Sequence, residues 1–219
     1  MPRSTRLSWL LADFPLFAFP MKLSGALVAV FAAISSSAWA AAVTGQPAPA
    51  FRGVDAQGKA VSLADYRGKT VVLEWNNPNC PFVQKHYTSG NMQALQQKST
   101  AAGVVWLAIN STTESHSDYM APAKLAAWFG EQKAVPTAVL MDPKGEIGRA
   151  YGAKVTPHMY VIDPKGTLVY AGAIDDKRSA NPADVKSATN HVTVALGELA
   201  SGKAVTTAAT TAYGCTIKY

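Results

Sequence analysis

The sequence contains only two cysteines, Cys80 and Cys215, among 219 residues. This number excludes a disulfide-rich scaffold and a four-cysteine zinc site, and it leaves room for one disulfide or one reactive pair. Charged residues make up only 16% of the chain, and the basic ones are scattered, with no run longer than Lys177-Arg178. Because nucleic-acid binding needs a clustered basic patch, the sequence predicts no nucleic-acid partner, although the net charge is +6.

Cofactor motifs are also missing. The sequence has no P-loop, no Gly-x-Gly-x-x-Gly turn between a strand and a helix, and no Gly-x-Ser-x-Gly elbow. The four histidines, at positions 86, 116, 158 and 191, form no His-x-His or His-x-x-x-His pair. The sequence therefore predicts neither a cofactor nor a metal ion.

An apolar run without charges occupies residues 23–34, after Met21-Lys22 and before Ala38-Trp39-Ala40. A basic start, an apolar stretch and an Ala-x-Ala site are typical of a secretory signal peptide. The run is too short to span a bilayer, which takes about 20 apolar residues. We therefore expect residues 1–40 to be an N-terminal extension and signal peptide that is cleaved after Ala40, with translation starting at Met21. An uncleaved membrane tether is the alternative.

Cleavage would leave residues 41–219 as one domain in the periplasm or outside the cell, with no stable membrane insertion. Exported proteins meet an oxidising compartment, where two cysteines can pair. In this mature part, β-branched apolar runs alternate with helical patterns, which predicts an α/β domain with a mixed central sheet flanked by helices. The predicted strands are residues 70–75, 104–110, 137–141, 158–162 and 167–171, after an N-terminal hairpin at 51–63. The predicted helices are 81–97 with a kink at Ser89-Gly90, one from Pro122, 146–151 and 182–199.

Cys80 lies where the strand at 70–75 has ended and a helix begins at Pro81. The N terminus of a helix carries a partial positive charge and free N–H donors, which stabilise a thiolate. This position makes Cys80 a candidate nucleophile. The alternative is a small buried cysteine that only packs.

The segment TVVLEWNNPNCPFV, residues 70–83, resembles the strand, loop and helix of the thioredoxin superfamily, in which a buried strand leads to a Cys-x-x-Cys motif. The resemblance makes Cys80 the nucleophilic cysteine. It makes Glu74 the acidic residue buried beneath the active site, where a raised pKa would let it take or give a proton. An outward-facing Glu74 on the surface is the alternative. Val83 stands where a dithiol motif has its second cysteine.

Two further segments carry the resemblance. Thr156-Pro157 and the following HMYVIDPKGTLVYAG resemble the cis-proline strand and hairpin of the same superfamily, which would place Pro157 along the substrate groove. A trans proline at the start of a strand is the alternative. Residues 172–176 (GAIDD) and 214–219 (GCTIKY), together with NPNCPFV, resemble the peroxiredoxin-like branch of the redoxins, related to the alkyl hydroperoxide reductase and thiol-specific antioxidant family.

This resemblance covers about residues 45–219 and implies a single thioredoxin-like domain with a C-terminal, cysteine-bearing tail. It implies that Cys215, on a mobile tail, resolves a mixed disulfide or a sulfenic acid formed on Cys80. A permanent structural bond between the same two residues is the alternative, and unpaired or intermolecular cysteines stay open as well.

The function implied is that of an exported thiol-dependent oxidoreductase with an antioxidant role. Its substrate would be a peroxide or a protein disulfide, and its electron donor a thiol/disulfide protein or a small thiol. Peroxiredoxins have Thr or Ser three residues before the peroxidatic cysteine, whereas this chain has Asn77, so the substrate stays open. The alternative is a redox-inert binding module of thioredoxin fold, held by a structural Cys80–Cys215 disulfide.

Overall fold

The structure is a computed structural model that describes residues 41–219. The leader predicted over residues 1–40, with its start at Met21 and its cleavage after Ala40, lies outside the described residues. The strands are β1 (Arg52–Asp55), β2 (Ala60–Ser62), β3 (Val71–Trp75), β4 (Val105–Asn110), β5 (Ala138–Met141), β6 (Val155–Thr156), β7 (His158–Ile162), β8 (Leu168–Gly172) and β9 (Cys215–Thr216). The α-helices are α1 (Pro81–Thr88), α2 (Asn91–Ala101), α3 (Pro122–Glu131), α4 (Glu146–Tyr151) and α5 (His191–Ala200), and 3₁₀ helices cover Leu63–Tyr66 and Pro182–Ser187.

Within residues 41–219, seven strands form a mixed sheet in the order β2-β1-β5-β4-β3-β7-β8. Strands β3, β4 and β5 run parallel in its centre, whereas β1 pairs antiparallel with β5, and β7 with β3. Every residue of β3 and β4 is buried, as expected for central strands covered on both faces, and this explains why both strands are apolar except for Glu74 and Asn110. The predicted mixed sheet, the flanking helices and the N-terminal hairpin are confirmed.

Alternation along the central strands divides the apolar side chains between the two faces of the sheet. On one face, Val72 and Trp106 pack with side chains of α1, α2, α3 and α5. On the other, Leu73 and Trp75 pack with side chains of α4 and of the first strands. In the part of the chain that the structure describes, no helix combines the length and the apolarity that crossing a bilayer requires.

The helix that follows Cys80 is interrupted where the sequence predicts a kink. Helix α1 ends at Thr88 and α2 begins at Asn91, and Gly90 between them has a φ of 74°. Residues with a side chain rarely adopt this left-handed conformation, so Gly90 allows the chain to change direction. The kink is therefore a complete break between two helices.

The single helix predicted over residues 182–199 is wrong. The segment forms the 3₁₀ helix Pro182–Ser187 and then the separate helix α5. Between the two helices, Ala188 and Asn190 are extended, and Asp176 N–H donates to Thr189 O there at 3.2 Å. The Asn190 side chain then accepts from Thr193 N–H at 2.9 Å and caps a new helix, which is a common role of asparagine.

The C-terminal tail is docked on the domain, which corrects the expectation of a mobile tail. Strand β9 pairs antiparallel with β6, with Cys215 opposite Thr156. Beyond it, Ile217 is buried and donates its backbone N–H to Lys154 O at 3.0 Å. Residues 204–219 are small and polar and carry no periodic apolar pattern, so this pairing left no sign in the sequence.

Candidate active site

Cys80 is the N-cap residue of α1 and lies just beyond the carboxyl end of the buried strand β3. Pro81 occupies the first helical turn, where a missing N–H removes no helical hydrogen bond. The Cys80 side chain is 1% exposed, and its Sγ lies 3.1 Å from the carbonyl oxygen of Thr156. The nucleophile predicted from the sequence thus stands at a helix N terminus against the backbone of β6.

Cys215 lies directly beside it. Both cysteines are free thiols in this structure, and their sulfur atoms are 2.7 Å apart. Burial, reinforced by a hydrogen bond with Cys80 and by the negative charge of that residue when ionised, raises the pKa of Cys215 to about 12. Cys215 therefore keeps its proton at neutral pH, whereas Val83, at the position of a second motif cysteine, is fully buried in the core.

The Thr156–Pro157 peptide bond is cis, as the resemblance implies. Thr156 lies next to both cysteines: its carbonyl oxygen contacts Cys80 Sγ, and its backbone pairs with Cys215. Gly214 packs against the same carbonyl: a Cβ there would lie 1.9 Å from Thr156 O, and Gly214 has a φ of 144°. Only a residue without a side chain permits this approach of the tail to the cis-proline turn.

We expect Gly214→Ala to slow formation of the Cys80–Cys215 disulfide by about a hundredfold, because the new methyl group pushes the tail away from Thr156, and a misplacement of about 1 Å has effects of this size on reaction rates. The rate is measured by mixing the reduced protein with one equivalent of oxidant and trapping free thiols over time. Gly202→Ala is the control, since Gly202 also has a positive φ but open space around it. Equal rates in the two variants would contradict the steric argument.

Glu74 is completely buried beneath residues 76–80, which we call the cysteine loop, and the outward-facing alternative is wrong. Its carboxylate accepts four hydrogen bonds, from the side chains of Asn76 (3.0 Å), Tyr87 (2.7 Å), Gln96 (3.0 Å) and Trp106 (2.8 Å). Burial raises the pKa of Glu74 above its ordinary value, and these four bonds lower it in part. Among the described residues, its hydrogen-bond partners do not include either cysteine.

The raised pKa of Glu74 has a consequence for stability against pH. The folded protein holds a proton that the unfolded chain releases above pH 4.5, so the contribution of Glu74 is complete below pH 4.5 and falls as the pH rises through the raised pKa. We expect Glu74→Gln, which does not titrate, to gain stability relative to wild type over that window, by at most about 1.4 kcal/mol per pH unit. The buried Oδ1 of Asn76 has no partner and can accept from the new amide.

Urea unfolding of both proteins at a series of pH values from about 4.5 to neutrality measures this difference. Glu198→Gln is the control. Hydrogen bonds from Thr206 lower the pKa of the exposed Glu198, so its contribution is present above pH 4.5 and is lost only below it, and the difference between this variant and wild type is expected to stay nearly constant over the series. A widening advantage of wild-type Glu74 with rising pH would mean that its four donors outweigh its burial.

A loop that the sequence did not single out ties the cysteine loop to the tail. The amide groups of Asn77 and Asn79 donate to the carboxylate of Asp118 at 3.4 and 3.3 Å. In the same loop, Thr113 N–H donates to Lys218 O at 2.7 Å. Asp118 also contributes to the raised pKa of Cys215, which places its charge near the sulfur pair.

Sequence reasoning also missed a buried polar cluster of Lys85, Asp175 and Tyr213 beside the cysteines. Asp175 belongs to the GAIDD segment that carried the resemblance, and this was the only indication in the sequence that the cluster belongs to the site. His86 lies next to the cluster with Nε2 3.8 Å from an oxygen of Asp175, and burial lowers the pKa of His86 to about 4. It is neutral at neutral pH. Within residues 41–219, no group of three or more His, Cys, Asp and Glu side chains has the arrangement to hold a metal ion.

Comparison with known proteins agrees with this geometry. The profile of the AhpC/TSA family matches residues 44–171. A protein of Mycobacterium tuberculosis strain H37Rv, provisionally named a peroxiredoxin, is 29% identical over 153 residues, which cover 68% of this chain and 88% of that protein.

Two crystal structures share the fold. An uncharacterized conserved protein from Geobacillus kaustophilus matches with a TM-score of 0.69 and 27% identity, covering 81% of this chain and 92% of its own. A hypothetical protein from Sinorhizobium meliloti 1021 matches with a TM-score of 0.68 and 24% identity, covering 82% of this chain and 96% of its own, and this likeness concerns the fold alone.

The family profile contains Glu74, Cys80 and Pro157 but ends before Cys215. Because it spans more than half of a thioredoxin-like domain with a cysteine at the start of α1, the chain belongs to the AhpC/TSA family of thiol-dependent oxidoreductases.

Proposed function

We propose that the protein is an exported oxidoreductase in which Cys80 attacks a disulfide or a peroxide and Cys215 resolves the product. The observation that carries the proposal is the distance of 2.7 Å between the two sulfur atoms. The order of attack is supported by the pKa of Cys215, which is raised to about 12 so that this thiol stays protonated, and by the place of Cys80 at the N terminus of α1, where the helix carries a partial positive charge.

With a disulfide substrate, the Cys80 thiolate attacks one sulfur and the other leaves as a thiolate. Cys215 then gives up its proton and attacks the Cys80 sulfur, which forms the Cys80–Cys215 disulfide and releases the second substrate thiol. With a peroxide, the Cys80 thiolate takes one oxygen as the O–O bond breaks, and the other oxygen leaves as hydroxide or alkoxide. Attack by Cys215 on the sulfenic acid then forms the same disulfide and releases water. Either route takes two electrons from the dithiol, and an external thiol donor returns them.

Other residues have supporting roles in this proposal. Glu74 is the buried group that takes or gives a proton beneath the cysteine loop, a role supported by its complete burial and raised pKa. Pro157 borders the groove where the substrate meets Cys80. Because Cys80 is only 1% exposed, the substrate reaches its sulfur when the segment of Cys215 moves aside. Export rests on the leader sequence at residues 21–40.

The first experiment is the reduction potential of the Cys80–Cys215 pair, from thiol trapping and peptide mass mapping across a series of redox buffers. We expect a linked pair with a potential between about −120 and −270 mV, the range of working oxidoreductases. A potential below about −300 mV would mark a structural bond and support the binding-module alternative. If no Cys80–Cys215 linkage forms, Cys215 does not resolve. Parallel reactions with one equivalent of hydrogen peroxide or of oxidised glutathione then identify the faster substrate class.

A further inference from the structure

Three buried side chains tie the segment of Cys215 to the helix of Cys80. The Lys85 ammonium group on α1 lies 2.9 Å from Asp175 Oδ2 and donates to the Tyr213 hydroxyl at 3.1 Å and to Lys177 O at 2.7 Å. The Tyr213 hydroxyl in turn donates to the other carboxylate oxygen of Asp175. Lys85 and Asp175 are 1% and 2% exposed, and Tyr213 is 6% exposed. We call Lys85, Asp175 and Tyr213 the latch.

The latch connects the two cysteines through short stretches of chain. Lys85 lies on the helix that Cys80 caps, and Tyr213 lies two residues before Cys215. The ring of Tyr213 also packs edge-on against Phe82 of the same helix, with the ring centres 5.8 Å apart. Cys80 and the segment of Cys215 are therefore both attached to helix α1, and Tyr213 is the residue through which the tail contacts this helix.

A second anchor holds the other end of the tail. The Tyr219 hydroxyl donates to Ala153 O at 2.7 Å, and the Arg149 guanidinium lies over the Tyr219 ring at 4.6 Å. Cys215 thus lies between the latch and this anchor, and the pairing of β9 with β6 also holds it; among these attachments only the latch reaches α1. The proximity of two reacting groups on a folded chain depends on such attachments, because each one removes arrangements in which the groups are apart.

We propose that Lys85, Asp175 and Tyr213 are positioning residues for the disulfide-forming step, because the latch holds Cys215 against Cys80. This inference rests on the proposed resolving role of Cys215. Tyr213 is the member whose hydroxyl can be removed without leaving a charge unpaired. In Tyr213→Phe the pair of Lys85 and Asp175 stays intact, and the ring still packs on Phe82. The variant loosens the tail and preserves the fold.

The test measures the equilibrium constant of the Cys80–Cys215 disulfide against glutathione in the full protein. We expect Tyr213→Phe to lower this constant about tenfold, equivalent to a potential about 30 mV less negative. The reason is that the reduced variant no longer holds its two cysteines close together before the disulfide forms. Tyr151→Phe is the matched control. Tyr151 is also buried, at 2% exposed against 6% for Tyr213, and its hydroxyl donates to Pro49 O at 2.8 Å, outside the latch. Urea unfolding of both variants reports their losses of global stability.

The two proposals fail in different ways. A disulfide constant in Tyr213→Phe equal to wild type, or changed as much as in Tyr151→Phe, would overturn the latch while wild-type turnover stands. A wild-type protein that forms no Cys80–Cys215 disulfide would overturn the resolving role, and the latch with it. A shift confined to Tyr213→Phe at similar unfolding midpoints supports positioning, since a purely structural role would not change the disulfide constant.

Discussion

Replacing Cys80 by serine is expected to abolish turnover and to leave the fold intact. A serine hydroxyl is not ionised at neutral pH and forms no disulfide, so the rate should fall by at least about a thousandfold, to the uncatalysed level. The fold should tolerate the change, because Cys80 makes no side-chain capping bond to α1 and serine is a favourable N-cap residue. The unfolding free energy is therefore expected to stay within about 1 kcal/mol of wild type, or to increase. Turnover is measured with peroxide or oxidised glutathione as substrate and dithiothreitol as donor.

The matched variant is Cys215→Ser. It retains the nucleophile, so it should consume one equivalent of substrate and stop, with a sulfenic acid or a mixed disulfide on Cys80 that mass spectrometry detects. The binding-module alternative makes the opposite prediction for Cys80→Ser. Loss of a structural disulfide would lower the unfolding free energy by about 2–5 kcal/mol under oxidising conditions, and there would be no turnover to lose.

The parts of the site predicted from the sequence are those fixed by neighbouring residues. The buried strand β3 was visible as a β-branched and apolar run that contains only Glu74 as a polar residue, and Pro81 marked the start of α1, so Cys80 could be placed at the start of the helix. The hairpins and the break at Gly90 followed from turn residues in the same way. The cis-proline and the buried Glu74 came from the resemblance to the thioredoxin superfamily, because no local pattern distinguishes a buried glutamate from an exposed one.

The contacts that no local pattern predicts join residues far apart along the chain. Lys85 and Tyr213, which the sequence did not single out, are separated by 128 positions, and the pairing of Cys80 with Cys215, 135 positions apart, was expected only from the resemblance. Such pairs form when tertiary packing brings polar groups together, and the period of apolar residues carries no information about them. The break before α5 is different. Asn190 is a typical N-cap residue and could have indicated a new helix start. The apolar spacing across residues 182–199 was given more weight, which led to the wrong prediction of one helix.

The second large effect is expected from Lys85→Met. Methionine fills a similar volume but leaves the Asp175 carboxylate buried without its cation, and removing one partner of a buried ion pair typically lowers stability by about 3–5 kcal/mol. That is a large fraction of the about 5–15 kcal/mol that holds an ordinary domain together. Urea unfolding at neutral pH measures the loss as a lower midpoint with an unchanged slope.

The double variant Lys85→Met with Asp175→Asn separates the charge from the packing. It removes both charges, and the asparagine oxygen still accepts from Tyr213 and from Lys177 N–H, so most of the lost stability should return. If the double variant is no more stable than Lys85→Met, the loss comes from packing of the lysine stem. Recovery of stability without recovery of the Cys80–Cys215 disulfide constant would identify the ion pair as the part of the latch that positions Cys215, because the fold would then be intact while the cysteines are no longer held together.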